Sequence, residues 1–425
     1  MKKQKYTIKD ESIFKSKIIN YIKRYDCFCF LDSNSSGGDF DYLCAFSTKE
    51  ALNYSKNLFK NLKKFDSDNY NDWIFGYFSY DVKNIIEPLK SNNLDCLRFP
   101  KSHFFIPQIV CLVKDNVLTV FFDKVYTSLK IERIISTIKS TPLVKSEIYN
   151  VKLKSRLSKQ EYINRINTIK DEIKQGNIYE MNFCQEFYSE SVKIDPFSLF
   201  QKLNKLSKSP FASFYKVNDN FCICASPERF LKKTNNKIIS QPIKGTIERS
   251  DNTNVDELNK IKLQNSQKEF SENIMIVDLV RNDMSQFASK KSVFVEELMG
   301  LYSYTDVHHL VSTISCELHP NFDWVDSIRF SFPMGSMTGA PKFMAMKLID
   351  KYEKTLRGIY SGSIGYVKPN RDFDFNVVIR SILYNKKKQY LSFMVGGAIT
   401  AESDPESEYN ECIFKSKSLL KTLNV

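Results

Sequence analysis

The chain has 425 residues, of which 42% are hydrophobic, 13% aromatic and 26% charged. This composition excludes a disordered chain and predicts an ordered globular core. The formal net charge is +13, but the lysines are dispersed and no zinc-finger, RNP or heptad pattern accompanies them. That argues against a nucleic-acid partner and favours an anionic small substrate.

Targeting and redox features favour the cytoplasm. No apolar run approaches the ~20 residues that span a bilayer, so we expect no membrane partner. No apolar stretch follows the basic start MKKQKYTIKD, so we expect no signal peptide. The ten cysteines form no CxxC pair, which favours buried thiols in a reducing compartment. These features together predict a soluble, cytoplasmic protein.

The N-terminal region alternates short β-like runs with lysine-rich helical stretches. The runs are 27–31, 73–78, 109–113 and 118–122. A polar, weakly periodic stretch over 136–154 predicts a connection. Ser158 and Glu161 then form the capping box of a helix that Gly176 ends. Nine of the thirteen glycines lie in the last 185 residues, which predicts tight turns and the functional site in that half.

The first candidate site residue is Lys244, in the segment QPIKGT after the β-like run 237–240. A lysine nucleophile needs burial or a nearby cation, because an exposed lysine has a pKa of ~10.4. Glu228 lies sixteen positions earlier, and a hairpin with its turn near 234–236 would bring the two together. Glu228 could then serve as a general acid or base beside a nucleophilic Lys244. The alternative is a plain ion pair between the two residues at an ordinary turn, and spacing alone favours the ion pair.

Three glutamates on two predicted helices form a candidate metal site. Glu272 belongs to a helix predicted over 268–283, with apolar residues on both sides. Glu408 and Glu411 lie three apart on a helix that begins at the sequence Ser-Asp-Pro, 403–405. Such oxygen donors suit Mg²⁺. The alternative is an ion pair between Glu411 and Lys415 on a solvated helix face.

The remaining candidates suit an anion. A glycine loop over 333–342 runs into a predicted helix over 343–352 and offers free amides, although it lacks the ending of a Walker A loop. Arg380 follows the β-like run 375–379, and with Tyr360 it suits a carboxylate. His309 is one of four histidines, and the alternative for it is a hydrogen-bonded core histidine.

Taken together and in this order, eight segments strongly resemble the chorismate-utilising enzymes, and within them the aminodeoxychorismate synthase component I family. The segments are SPERF, PIKGT, ENIMIVDLVRND, HHLVST, GSMTGAPK, RGIYSGSIGY, VVIRS and GGAITAESDPESEYNE. The resemblance covers roughly residues 160–425, and WIFGYFSY resembles the N-terminal part of the family more faintly.

The resemblance implies the anthranilate synthase component I-like fold of the α+β class. That fold is a large sandwich of two orthogonally packed, mainly antiparallel β-sheets flanked by helices, in α/β/β/α layers. Residues 1–145 would form its N-terminal part, and residues 155–425 would form the chorismate-binding catalytic region.

The resemblance also implies roles for individual residues. The three glutamates correspond to the Mg²⁺ ligands, Lys244 to a nucleophile, Glu228 to its general acid and base, and His309 to an active-site histidine. The substrate-binding residues it implies are Gly245, Thr246, Thr338, Tyr360, Arg380, Gly396, Gly397 and Ala398.

Lys244 decides the subfamily, because anthranilate synthases resemble the chain elsewhere but carry alanine at this position. The resemblance implies that this lysine, uncharged in a secluded cleft, attacks C2 of chorismate while the C4 hydroxyl leaves, and that ammonia then adds at C4. Isochorismate and salicylate synthases use a lysine base where this chain has Glu180, which argues against them. The implied reaction is Mg²⁺-dependent amination of chorismate to 4-amino-4-deoxychorismate, for 4-aminobenzoate and folate biosynthesis. The alternative is anthranilate formation for tryptophan biosynthesis.

Three departures from the family pattern accompany the match. Glu180 replaces the usual glutamine, Ala398 replaces the last glycine of a GGG turn, and Glu402 replaces the usual aspartate. None of these departures removes a predicted ligand or nucleophile. The Gly-x-Cys-x-Gly turn of a glutamine amidotransferase is absent, so ammonia is expected from a separate glutamine amidotransferase subunit or from solution. Residues 31–33 and 210–212 resemble the tryptophan pocket of the family, which makes L-tryptophan a candidate ligand there.

Overall fold

The architecture combines a large antiparallel sheet with helices on its faces. The structure is a computed structural model that describes residues 1–145 and 147–425. Residue 146, which belongs to the predicted connection, lies outside the described residues. The described part contains eleven α-helices and twenty β-strands, and the strands pair antiparallel in one hydrogen-bonded network. This agrees with the α+β class that the sequence predicts.

The elements follow one another along the whole described chain. The strands are β1 Lys2–Thr7, β2 Cys27–Asp32, β3 Tyr42–Asn53, β4 Ile74–Phe78, β5 Ser102–Lys114, β6 Val117–Phe122, β7 Lys154–Ser155, β8 Glu180–Ser189, β9 Phe211–Val217, β10 Asn220–Ser226, β11 Arg229–Thr234, β12 Lys237–Gln241, β13 Ile243–Glu248, β14 Phe294–Ser303, β15 Val307–Glu317, β16 Gly339–Ala340, β17 Ser363–Val367, β18 Phe373–Asn376, β19 Ser381–Asn385 and β20 Tyr390–Ile399. The helices are α1 Glu11–Tyr21, α2 Leu58–Asp68, α3 Lys83–Ile86, α4 Ser128–Ser140, α5 Lys159–Lys174, α6 Pro196–Ser207, α7 Thr253–Gln264, α8 Gln267–Ser285, α9 Trp324–Ser331, α10 Lys342–Tyr352 and α11 Pro405–Leu423.

Strands from the two ends of the chain pair with each other. β2 lies between β3 and β9, and β4 lies between β5 and β17. The N-terminal 145 residues therefore share their sheet with later strands. Between α4 and β7 the described residues form neither helix nor strand. The division into 1–145 and 155–425 stays a prediction.

Two apolar clusters form the core, on opposite faces of the strands. In β2, Phe28 and Phe30 belong to one cluster, while Cys29 and Leu31 belong to the other, as the two-residue period of a strand requires. Helices α1, α4, α5, α6 and α11 contribute to the first cluster, and α2, α8 and α9 contribute to the second. The sheet therefore carries helices on both faces.

The local predictions near the site are largely confirmed. The capping box of Ser158 and Glu161 starts α5, and β11 and β12 form the predicted hairpin. Helix α8 differs from the prediction, because its apolar residues are not buried all round: Ile276 and Val280 are buried, but Phe270 is 47% exposed. In the described part of the chain, no helix is both long and apolar enough to cross a bilayer.

Candidate active site

A cleft of about 200 Å³ lies between β13, β15, α8, β20 and α11. It brings together most of the residues that the sequence singles out. The predicted residues that line it are Glu228, Lys244, Gly245, Thr246, Glu272, His309, Tyr360, Arg380, Gly396, Ala398 and Glu411. Thr338, Gly397 and Glu408 do not line it, and their positions are given below.

Lys244 projects from β13 into the buried part of the cleft, where it is only 7% exposed. Its Nζ lies 2.5 Å from Glu180 Oε1 and 3.5 Å from Glu272 Oε2. Asn273 of α8 donates to the Lys244 carbonyl at 3.1 Å, which fixes the strand beside the helix. Burial acts to lower the pKa of Lys244, but the carboxylates of Glu180 and Glu272 raise it well above its ordinary value. The lysine is secluded as expected, and its two carboxylate partners favour the ammonium form, so an uncharged amine would require that a proton first leave it.

Glu228 shares the cleft with Lys244 because the β11–β12 hairpin folds the chain back as predicted. The ion pairs of Lys244 go to other carboxylates, and Glu228 instead accepts a hydrogen bond from Ser336 Oγ at 2.6 Å. Burial raises the pKa of Glu228 to about 7, although this hydrogen bond and the charge of Lys244 act against the rise. A carboxyl with that pKa can both donate and accept a proton near neutrality.

His309 is held as a neutral imidazole. Burial lowers its pKa to about 3, and the positive charge of Arg380 contributes. Its Nδ1 lies 2.8 Å from the hydroxyl of Thr246 on the neighbouring strand. Gly245, with a φ of +92°, precedes that threonine and lets the backbone turn toward the cleft.

Arg380 and Tyr360 form the opposite wall. Arg380 has a φ of +51°, a left-handed conformation that aims it between β18 and β19 toward the cavity. The Tyr360 hydroxyl lies 3.6 Å from Cys184 Sγ, a weak contact that leaves it able to bind a ligand. A fork-shaped cation beside a hydroxyl suits a carboxylate.

The glycine loop lies behind this wall. The Thr338 hydroxyl donates to the carbonyls of Met334 and Gly335, at 3.0 and 3.2 Å, within the loop itself. Gly339 pairs with β8, where its lack of a side chain is required because a Cβ would lie 2.1 Å from a backbone oxygen. The structure therefore places Thr338 in the support of the site and not on its surface.

Each of the three predicted metal ligands is paired with a lysine. Lys268 Nζ lies 3.0 Å from Glu408 Oε1 and 3.9 Å from Glu272 Oε1. Glu411 forms the i,i+4 ion pair with Lys415, at 2.7 Å, and the charge of Lys415 lowers the pKa of Glu411 to about 2. Both residues line the cleft, and the side chain of Glu411 is still 42% exposed there. Within the described residues, no group of three acidic, histidine or cysteine side chains is arranged to hold a metal.

The donor atoms nevertheless fit a hard cation. Glu272 Oε1 and Glu408 Oε2 are buried without a hydrogen-bond partner. A Cβ on Gly397 would lie 3.1 Å from Glu408 Oε2 and 3.7 Å from both Glu411 Oε1 and Lys415 Nζ, so the glycine leaves open a space beside two carboxylates and the ammonium of Lys415. Carboxylate oxygens that converge on an open space are a donor set that Mg²⁺ prefers.

Sequence reasoning missed several residues that line the cleft, among them Lys268, Glu269, Asn182 and Ser336. Lys268 lies four residues before Glu272, so the helical period could have indicated their contact. Ser336 belongs to the glycine loop, where a hydroxyl among glycines was a signal. The other two lie on a strand and a helix with no distinguishing pattern.

A buried ion pair supports the cleft from behind. Arg357 Nη2 lies 2.6 Å from Glu353 Oε1, and both side chains are at most 2% exposed. Arg357 also donates to the carbonyls of Met337 and Asn182, at 2.6 and 2.9 Å, which ties the glycine loop to β8. Glu353 accepts a hydrogen bond from the amide of Cys184 on the same strand.

A second, larger cavity of about 840 Å³ lies beside β2 and β9. The structure brings residues 31–33 and 210–212 together in its wall, as the resemblance to the tryptophan pocket implies. Asp32 at its edge is paired with Lys15 and accepts a hydrogen bond from Asn204. Pro227 and Ile243 line both this cavity and the cleft.

Comparison with known proteins agrees with this geometry. The profile of the family described as chorismate binding enzyme matches residues 30–421. The chain is similar to the chloroplastic aminodeoxychorismate synthase of Arabidopsis thaliana, at 40% identity over 61% of this chain and 28% of that protein. It is also similar to aminodeoxychorismate synthase component 1 of Salmonella typhimurium, at 37% identity over 63% of this chain and 59% of that protein. The match thus spans less than two thirds of either relative.

Longer matches involve a different activity. An anthranilate synthase component I-like protein of Synechocystis is 30% identical over 87% of this chain and 76% of its own length. The crystal structure of anthranilate synthase component I from Streptococcus pneumoniae superposes with a TM-score of 0.79 at 24% identity, over 91% of this chain and 93% of that one. At that identity the superposition establishes the fold alone.

Proposed function

The chain belongs to the family of chorismate binding enzymes, and on that premise we propose that it aminates chorismate to 4-amino-4-deoxychorismate with the aid of Mg²⁺. The observation that carries the proposal is the position of Lys244, buried in the cleft between carboxylates and beside Glu228. A lysine there is the feature that distinguishes aminating members from anthranilate synthases. The similarity to proteins named aminodeoxychorismate synthase supports the same assignment.

Different residues of the cleft would bind the enolpyruvyl carboxylate and the ring of chorismate. Arg380, Tyr360 and the backbone of Gly396 would bind the enolpyruvyl carboxylate, while Gly245 and Thr246 would contact the ring. Ala398 lines the same wall. Gly397 gives access to the acidic residues behind it, and Thr338 fixes the glycine loop, so both act through their neighbours.

Glu272, Glu408 and Glu411 would hold Mg²⁺. When bound, the cation would supply positive charge that orients the ring carboxylate and offsets the charge that develops as the hydroxyl departs. The unpartnered oxygens of Glu272 and Glu408 support this assignment.

The covalent steps use Lys244 and Glu228. Lys244 would first pass a proton to the adjacent carboxylate of Glu180. Its neutral amine then attacks C2 of the ring, the double bond shifts, and the C4 hydroxyl leaves as water with the proton of Glu228. The new C2–N bond leaves a proton on nitrogen that returns to Glu228. Ammonia then attacks C4, the double bond shifts back, and Lys244 leaves C2 as an amine that takes up the proton released by the new ammonium group at C4. His309, neutral and hydrogen-bonded to Thr246, would position that threonine against the ring.

Ammonia would come from a glutamine amidotransferase subunit, and the product would serve 4-aminobenzoate and folate biosynthesis after a separate lyase step. The component 1 name of the bacterial relative supports a multi-component arrangement. We place the enzyme in the cytoplasm, with no nucleic-acid or membrane partner. The second cavity is a candidate site for L-tryptophan.

Replacing Lys244 by alanine tests the proposal. The chain is incubated with chorismate, Mg²⁺ and ammonium, and aminodeoxychorismate is followed through an added lyase. K244A should lose at least about a hundredfold in turnover, because the covalent step is removed, while its circular dichroism stays close to the wild type. Its Tm should fall, because Glu180 and Glu272 lose a buried partner. The matched control is Lys237→Ala, at a half-exposed lysine of β12, the strand that precedes β13. Unchanged turnover in K244A would refute the nucleophile assignment.

The second candidate function is anthranilate synthesis, favoured by the length over which the chain matches the Synechocystis protein. Anthranilate is fluorescent and forms without a lyase. Its appearance in the same incubation before the lyase is added would select this alternative.

A further inference from the structure

The acidic cluster of the cleft contains a cation of its own. Lys268 extends from the first turn of α8 between two helices and contacts Glu272 of α8 and Glu408 of α11. Ser403 Oγ holds the same Glu408 oxygen at 2.7 Å, so the carboxylate is fixed where Lys268 meets it. Lys268 is thus the only side chain among the described residues that forms ion pairs with carboxylates of both helices.

The position of Lys268 overlaps with the position that a divalent cation needs. Its ammonium lies near Glu272 Oε1, which has no hydrogen-bond partner. It also contacts Glu408 Oε1, and the other oxygen of that carboxylate, Oε2, has no hydrogen-bond partner either. A lysine ammonium carries a positive charge at neutral pH, and here it lies beside two carboxylates. Two cations repel strongly at such distances in a partly buried site.

Lys268 can leave without unfolding anything. Its side chain is 35% exposed, whereas Glu408 is 2% exposed. It sits near the start of α8, next to solvent-exposed Phe270, and a lysine stem has four rotatable bonds. The carboxylates, in contrast, are held by buried helices.

We propose that Lys268 is an internal counter-ion of the metal site, which occupies the carboxylates of Glu272 and Glu408 and is expelled toward solvent when Mg²⁺ binds. The inference rests on the proposed function for the location of the metal, and it adds a residue that sets metal affinity. Lys268 holds the two helices together and limits the repulsion between their carboxylates. It also makes Mg²⁺ binding weaker than the three glutamates alone would make it.

Calorimetric titration with MgCl₂, without chorismate, tests the proposal. Lys268→Met, which keeps the length of the stem but removes the competing charge, should bind Mg²⁺ at least fivefold more tightly than the wild type. Lys268→Arg should stay within about twofold. The control is Lys260→Met, whose lysine pairs with Glu257 on the outer face of α7. Equal or weaker Mg²⁺ binding by K268M would overturn the proposal. Weaker binding would show that Lys268 positions the metal ligands instead of competing with the metal.

A second measurement uses the wild-type protein and does not depend on the folding of a variant. Lysine acetylation by a water-soluble active ester is followed by mass spectrometry with and without Mg²⁺. Expulsion predicts faster modification of Lys268 with Mg²⁺ and an unchanged rate at Lys260. An unchanged or slower rate at Lys268 would contradict it. If these results hold but no amination is detected, the proposed reaction fails and the counter-ion role stands.

Discussion

Replacing Glu228 by glutamine probes the buried carboxyl that the proposed mechanism uses twice. Burial raises its pKa from 4.5 to about 7. The folded protein therefore binds this proton more tightly than the unfolded chain does, and the fold loses stability as pH rises from 4.5 through 7. Glutamine cannot ionise, and its amide oxygen can still accept the hydrogen bond that Ser336 now donates to Glu228. E228Q should therefore escape this loss.

The size of the effect follows from the two pKa values. At about 1.4 kcal/mol per pKa unit, the interval from 4.5 to about 7 corresponds to about 3 kcal/mol. The stability of E228Q relative to the wild type should therefore rise by about 3 kcal/mol between pH 4 and pH 9. For a chain of this length that is roughly 3–6 °C in Tm.

The assay is thermal unfolding at pH values from 4 to 9, without Mg²⁺ or chorismate. The control is Glu190→Gln, at an exposed carboxylate paired with Lys154. The difference in Tm between this variant and the wild type should not change with pH. A difference between E228Q and wild type that does not change with pH would refute the reasoning. Turnover of E228Q should fall at every pH, because no proton can be passed to the leaving hydroxyl.

Two further substitutions test the charges around Lys244 and behind the cleft. Glu180→Gln removes the carboxylate 2.5 Å from Lys244, so the pKa of that lysine should fall. When kcat/KM is measured against pH at constant free ammonia, its rising limb should therefore move to lower pH. Each 1.4 kcal/mol removed raises the neutral fraction about tenfold, and a limb that does not move would contradict this. Arg357→Met leaves Glu353 buried and unpaired, which should lower the free energy of unfolding in urea by about 3–5 kcal/mol. The double variant R357M/E353Q should recover part of that loss, and no recovery would show that the pair is not the cause.

The sequence predicted those parts of the fold that local chemistry determines. The capping box at Ser158, the hairpin turn near 234–236 and the N-cap of α11 all depend on residues within a few positions of one another. The buried face of α8 was less predictable, because whether Phe270 is covered depends on distant elements. The pairing of β2 with β9 joins segments nearly two hundred positions apart, and nothing local specifies it.

The same limit applies to the candidate site. Motif order identified which glutamates and which lysine belong together, but not how their charges pair. Glu180 and Lys244 lie 64 positions apart, and their contact depends on β8 and β13 facing one cleft. The sequence marked Glu180 only as a departure from the family, whereas the structure gives it a physical effect, since it keeps the lysine charged.

The charge balance of the cleft bears on the order in which the proposed cation and the proposed dianionic substrate would bind. Four carboxylates and four cations nearly cancel: Glu180, Glu272, Glu408 and Glu411 against Lys244, Lys268, Lys415 and Arg380. Glu228 and Glu269, whose pKa values burial raises to about 7, add negative charge as pH rises. A dianion entering alone would face a neutral or negative site. If Mg²⁺ takes the place of the Lys268 ammonium, the site gains one net positive charge, which favours the ring carboxylate. Metal binding would therefore precede tight binding of chorismate.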